Sequence, residues 1–228
     1  MNKRLAALLC VLSLLTTSAC GAGERTDESA EANAAVTAEM APEATEKSIL
    51  YRDIAGDEWF VDAVDELTQK GIMTGVEEGV FGPYQPVTRA TVILVLWRLD
   101  GSPEAEVAEP FPDVEPWFAT AAAWAKGYGI ATGYLDGRFG GRDMVSREQM
   151  ASFLYRYAQY KGEPLAQGAL GMFSDVADIS EWAQEAMAHV TGLGIMQGGD
   201  GGRLDPAGVT NRAALAVMIQ RMLTPVVG

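Results

Sequence analysis

The chain has 228 residues, of which 48% are apolar, enough to build a core and to exclude wholesale disorder. Its formal charge of −14 gives a surface that repels nucleic acid and does not adsorb unaided to anionic lipid. The length leaves room for one medium domain or several small ones.

At the start, Lys3 and Arg4 precede a mostly apolar run from Leu5 to Leu15. That run is too short to span a bilayer but suits a cleavable export signal, expected over residues 1–19. The next stretch, Thr17-Ser18-Ala19-Cys20-Gly21, resembles a bacterial lipobox with Thr17 in place of the usual Leu. The resemblance implies cleavage before Cys20 and a diacylglycerol on its sulfur, hence a lipoprotein on the outer face of the cytoplasmic membrane, in contact with the wall. Ordinary secretory cleavage, leaving a soluble product, is the alternative. Cys10 departs with the signal, so Cys20 is the lone thiol of the processed chain and an intramolecular disulfide is excluded.

Residues 20–48 are expected to form a flexible acidic linker behind the lipid. Gly21 to Ser48 carries seven acids, two cations and no aromatic residue, too little apolar surface to offset the entropy of ordering. As a coil it spans roughly 30 Å, and about 95 Å when stretched.

The rest of the chain repeats itself. With Trp59, Trp117 and Trp182 as origins, Gly71, Gly129 and Gly194 follow at one fixed distance, each before Ile. Gly75, Gly133 and Gly198 come next, then Arg89, Arg147 and Arg212, then Arg98, Arg156 and Arg221, all without a gap. Upstream of each Trp stands an opening: Tyr51-Arg52-Asp53-Ile54, Phe111-Pro112-Asp113-Val114 and Phe173-Ser174-Asp175-Val176. The units are set at 49–101, 109–160 and 171–224, joined by connectors rich in Gly, Pro, Ala and Glu.

Each unit reads as helix, loop, helix. Apolar residues at 60, 63, 64 and 67 recur at 118, 121, 122, 125 and at 183, 186, 187, 190, one helical face in triplicate. Gly71, Gly129 and Gly194 suit the left-handed position that ends such a helix. The second helix repeats its apolar face at 92, 95, 96 and 99 and the equivalent positions. Thr88, Ser146 and Asn211 share the slot before it, and all three are good N-caps. Gln149 can complete a capping box with Ser146, which Thr91 and Ala214 cannot do in the same way. In the loops, Phe81, Phe139 and Leu204 occupy one plug position. A single unit of this size has a marginal core, so the three are expected to pack as one mainly α, pseudo-threefold domain.

These landmarks resemble the S-layer homology (SLH) domain family, which usually occurs as three tandem copies. The resemblance rests on the Asp-bearing openings, on Gly133-Tyr134-Leu135-Asp136-Gly137-Arg138-Phe139, and on Thr88-Arg89-Ala90-Thr91. The family's Glu after Arg-Ala is replaced by Thr91, Gln149 and Ala214, and repeat 3 lacks the loop aromatic. The resemblance implies a non-catalytic module that binds secondary cell-wall polysaccharide, often through a pyruvate ketal, in grooves between neighbouring repeats.

Residue chemistry fits that implication. Arg89, Arg147 and Arg212 stand in first helical turns, where a guanidinium can grip a carboxylate bidentately and helix-end N–H groups favour an anion. Gly75, Gly133 and Gly198 would let backbone approach a sugar. Asp53, Asp113 and Asp175 could accept sugar hydroxyls or orient the arginines. Trp59, Trp117 and Trp182 begin amphipathic helices and are expected in the core, with sugar stacking as the alternative. Arg98, Arg156 and Arg221 are expected as structural partners of acids, and Glu148 could occupy Arg147. His189 is expected at solvent or at a repeat junction. Asp136 and Asp200 lie in Gly-rich loops without the ligand run of an EF-hand, so no metal and no cofactor are expected. No nucleophile, His pair or metal cluster remains for an enzyme. The competing reading is a lipid-anchored envelope adaptor for a protein partner or a cationic wall modification.

Overall fold

The structure, a computed structural model, describes residues 50–105 and 111–224. The expected export signal, Cys20 and the acidic linker lie outside the described residues. Repeat 1 supplies α1 (Val61–Gln69) and α2 (Arg89–Leu99), repeat 2 α3 (Ala119–Gly127) and α4 (Arg147–Lys161), and repeat 3 α5 (Gln184–Gly192) and α6 (Arg212–Leu223). Among the described residues there is no strand of more than a single bridge, and no helix is long and apolar enough to cross a membrane.

The apolar face of each first helix is inside: Phe60, Ala63, Val64 and Leu67, like their counterparts in α3 and α5, are buried. Gly71, Gly129 and Gly194 take φ of +68°, +71° and +66°, the left-handed geometry that lets the chain turn back under the helix end. The plugs Phe81, Phe139 and Leu204 are fully enclosed.

The hairpins do not fold on themselves alone. The first helix of each repeat packs on the second helix of the preceding one: α3 on α2, α5 on α4, and α1 on α6. The last pairing closes a ring, so every unit completes its core with a neighbour. At the centre, three backbone hydrogen bonds run head to tail around the axis. The Val87 N–H donates to the Thr210 carbonyl (2.9 Å), Thr210 to Val145 (2.9 Å), and Val145 to Val87 (3.0 Å). Short connecting stretches that would otherwise bury unpaired peptide groups thereby satisfy one another.

The expectation for the tryptophans is corrected here. Trp59, Trp117 and Trp182 are 64%, 54% and 58% exposed. Each stands in the turn that precedes its α-helix, a 3-10 turn in repeats 2 and 3, and the next residue (Phe60, Phe118 or Ala183) takes the inward position. Adjacent residues of a helical turn point to different sides, so both cannot be core.

Candidate binding grooves

The first turns of α2, α4 and α6 are built from caps and from the neighbouring repeat. Oγ1 of Thr88 accepts from the Thr91 N–H, Oγ of Ser146 from Gln149, and Oδ1 of Asn211 from Ala214. Gln149 returns the bond to the Ser146 N–H at 3.2 Å and completes the box. The next repeat's loop supplies the remaining acceptors. Arg89 and Ala90 donate to Asp143 and Gly141, Arg147 and Glu148 to Gly208 and Pro206, Arg212 and Ala213 to Gln85 and Pro83. The first three backbone donors of each helix are thus used. The expected anion at these helix ends therefore finds no free amide there, because the loop carbonyls arrived first.

Side chains repeat the same handover. Arg89 Nε donates to the Phe139 carbonyl at 2.8 Å, Arg147 Nε to Leu204, and Arg212 Nε to Phe81 at 2.8 Å. Arg147 and Arg212 add a second bond, Nη2 to Gln197 O (2.9 Å) and to Thr74 O (2.6 Å). The Arg89 guanidinium lies over the rings of Tyr134, Phe139 and Phe153, and that of Arg212 over Phe81 at 4.5 Å. Burial draws all three arginines below the ordinary guanidinium value.

Asp53, Asp113 and Asp175 hold the loops that receive those arginines. Both oxygens of Asp53 accept backbone donors, Phe81 N–H at 2.9 Å and Gly82 N–H at 2.7 Å. Asp113 takes Phe139 and Gly140, and Asp175 takes Leu204 and Asp205. Burial raises each carboxylate's pKa, but the paired N–H bonds overcome it and hold the groups below the usual Asp value. The arginines are oriented one peptide away: Asp53 grips the N–H of Phe81 while Arg212 grips its carbonyl.

The loop glycines answer to the same frame. A Cβ on Gly75 would stand 2.5 Å from the Val80 carbonyl, and one on Gly133 would stand 2.6 Å from the Phe111 ring. The close approach at these two is to the protein's own loop. Glu148 does not occupy Arg147; its carboxylate accepts from the N–H and hydroxyl of Ser180 in repeat 3. His189 is buried at the junction with the connector, its Nδ1 accepting from the Ala166 N–H at 3.0 Å, and burial lowers its pKa.

Two grooves open at the seams. Groove A, about 710 Å³, is lined by Trp59 of repeat 1, Arg147 of repeat 2, and the 195–205 loop and Arg221 of repeat 3. Groove B, about 800 Å³, brings together Arg89 of repeat 1, the 132–135 segment and Arg156 of repeat 2, and Trp182 of repeat 3. Each groove thus draws on all three repeats: a first-turn arginine, a mid-helix arginine and an exposed indole. A model of the S-layer homology domain matches residues 50–93, 110–151 and 173–216, together more than half of the chain.

The chain belongs to the S-layer homology domain family.

Relatives of the SLH region include the exoglucanase XynX of Acetivibrio thermocellus, 32% identical over 184 residues, covering 78% of this chain but 16% of that protein. An endoglucanase of Bacillus sp. (strain KSM-635) is 28% identical over 174 residues, with 76% of this chain and 18% of the relative covered. An S-layer protein of Bacillus thuringiensis subsp. finitimus is 26% identical over 174 residues, with 75% and 21% covered. The chain therefore spans less than a quarter of the length of these relatives, and what it shares with the two glucanases is the SLH region.

The mid-helix arginines correct an expectation. Among the described residues Arg98 and Arg156 pair with no acid, and Arg221 donates to the Ile195 carbonyl and Gln197 Oε1 instead. A signal was present: the residues three and four positions either side of Arg156 are Ser152, Phe153, Gln159 and Tyr160, none of them acidic.

Proposed function

We propose that the SLH domain is a non-catalytic cell-wall-binding module that takes, at an inter-repeat groove, a sugar with an anionic substituent from secondary cell-wall polysaccharide, a pyruvylated terminus being the best fit. The observation that carries this reading is the convergence, from three repeats, of at least two guanidiniums and one exposed indole in each groove. An indole face packs on a sugar ring, and a guanidinium pair matches a carboxylate with directed hydrogen bonds. The S-layer protein among its relatives supports a place in the cell envelope. In this reading the diacylglycerol on Cys20 holds the module near the membrane, and the acidic 20–48 segment gives it reach.

Co-sedimentation of the full chain with purified cell wall tests the reading. The protein is expected to pellet with native wall, to stay in solution when wall glycan has been removed by hydrofluoric acid, and to lose pelleting when Trp59 and Trp182 are both changed to Ala. Equal pelleting with native and stripped wall would overturn it and favour the adaptor reading. Radiolabelled fatty acid recovered with the chain, and lost in Cys20→Ser, checks the lipid.

A further inference from the structure

The two grooves share a plan but not their hydrogen-bond state. In groove A the arginines are already engaged by the protein. Gln197 accepts twice, its carbonyl from Arg147 and its side-chain oxygen from Arg221 at 3.1 Å, while Arg221 donates again to the Ile195 carbonyl. Asp200, Arg203 and Asp205 also line this groove, so carboxylates already stand beside its cations.

Groove B differs at each of these points. Thr132 stands where repeat 3 has Gln197, and among the described residues it makes no hydrogen bond to an arginine. Arg89 is hydrogen-bonded through Nε alone, and Arg156, half-buried, makes no hydrogen bond or ion pair among the described residues. No carboxylate lines the groove, whose walls are Tyr134, Leu135, Phe153 and Trp182. Arg156 is depressed by burial alone, whereas at Arg89 burial is the main cause and is opposed by Tyr134, Asp143 and Asp113. A half-buried, unpartnered guanidinium such as Arg156 beside apolar side chains is costly unless an anion joins it.

We propose that groove B is the acceptor of the carboxylate-bearing sugar, with Arg156 as its principal unpaired cation, and that Gln197 acts in groove A as a built-in occupant that keeps an anion out. This deepens the wall-binding reading and rests on it for the nature of the ligand. The apolar wall further selects an anionic group that carries a methyl or acyl substituent, since a bare carboxylate would leave Leu135 and Trp182 in water.

The indole N–H signals of Trp182 and Trp59, assigned with single Trp→Phe variants in the full-length ¹⁵N-labelled chain, report on grooves B and A separately. The probe is N-acetylmuramic acid, with N-acetylglucosamine as the uncharged control. The expected result is a shift of the Trp182 signal at no more than a tenth of the probe concentration that moves Trp59, with no response to the control in that range. Arg156→Gln should weaken the Trp182 response at least tenfold with the remaining spectrum intact. Gln197→Thr, which removes the side-chain acceptor on Arg221 but leaves the carbonyl on Arg147, should strengthen the Trp59 response. The proposal is overturned if the two indoles titrate together, if neither moves, or if Arg156→Gln leaves the Trp182 titration unchanged. Wild-type protein that fails to pellet with wall would remove the wall reading, whereas the contrast between grooves is decided by the probe alone.

Discussion

Two sets of arginines, repeated at two fixed distances from the same tryptophans, have different fates. Arg89, Arg147 and Arg212 are threaded into the neighbouring repeat and hold its loop. Arg98, Arg156 and Arg221 stand further along the same helices, and two of them line open grooves. Regular recurrence therefore marks a residue as needed without saying whether architecture or ligand needs it. The separating feature is what the tertiary structure offers each guanidinium: every arginine of the first set holds a backbone carbonyl even where it also lines a groove, whereas Arg156 of the second has no partner among the described residues.

The largest effect should come from breaking the first set at the ring's closure. Arg212→Ala removes two hydrogen bonds and leaves the Phe81 and Thr74 carbonyls unpaired at the seam between repeats 3 and 1. A loss of about 3 kcal/mol in urea denaturation is expected. Asp175→Asn should cost about 2 kcal/mol, because one amide oxygen cannot replace two that accept from Leu204 and Asp205.

The aspartates also set a pH dependence. Asp53, Asp113 and Asp175 are held below their ordinary value in the folded chain. Their contribution is therefore complete above the unfolded value near 4 and is lost as pH falls through the folded values. Denaturation midpoints measured between pH 7 and 2 should drop below about pH 4, and less steeply in Asp175→Asn.

Ser146→Ala removes a cap and breaks the box with Gln149, for roughly 1 kcal/mol. The smallest effect sharpens the contrast most. Arg156→Gln should change stability by no more than about 0.5 kcal/mol, since it deletes no bond, while wall pelleting falls. Equal destabilisation by Arg156→Gln and Arg212→Ala would erase the distinction between the two sets.

Much of this was legible in the chain. The apolar faces of all six helices, the left-handed glycines, the caps and the loop plugs follow from period and residue type, which act over a turn or two of backbone. The exposed tryptophans were misplaced because a register difference of one residue decides whether Trp59 or Phe60 faces inward, and apolar character does not distinguish them. The role of Asp175 was equally hidden, since its partners lie about thirty residues away across a loop.

By itself, the sequence determined three copies of a helical hairpin, with the positions of their cores, turns and conserved-in-register cations, because those depend on local geometry repeated along one chain. Only the tertiary structure decided which repeat completes which core, that first-turn arginines are consumed by the next repeat's carbonyls, and that Gln197 engages both Arg147 and Arg221 in one groove while Arg156 stands without a partner in the other. Those are contacts between residues far apart in the chain, and they exist only once the ring from α1 to α6 has closed.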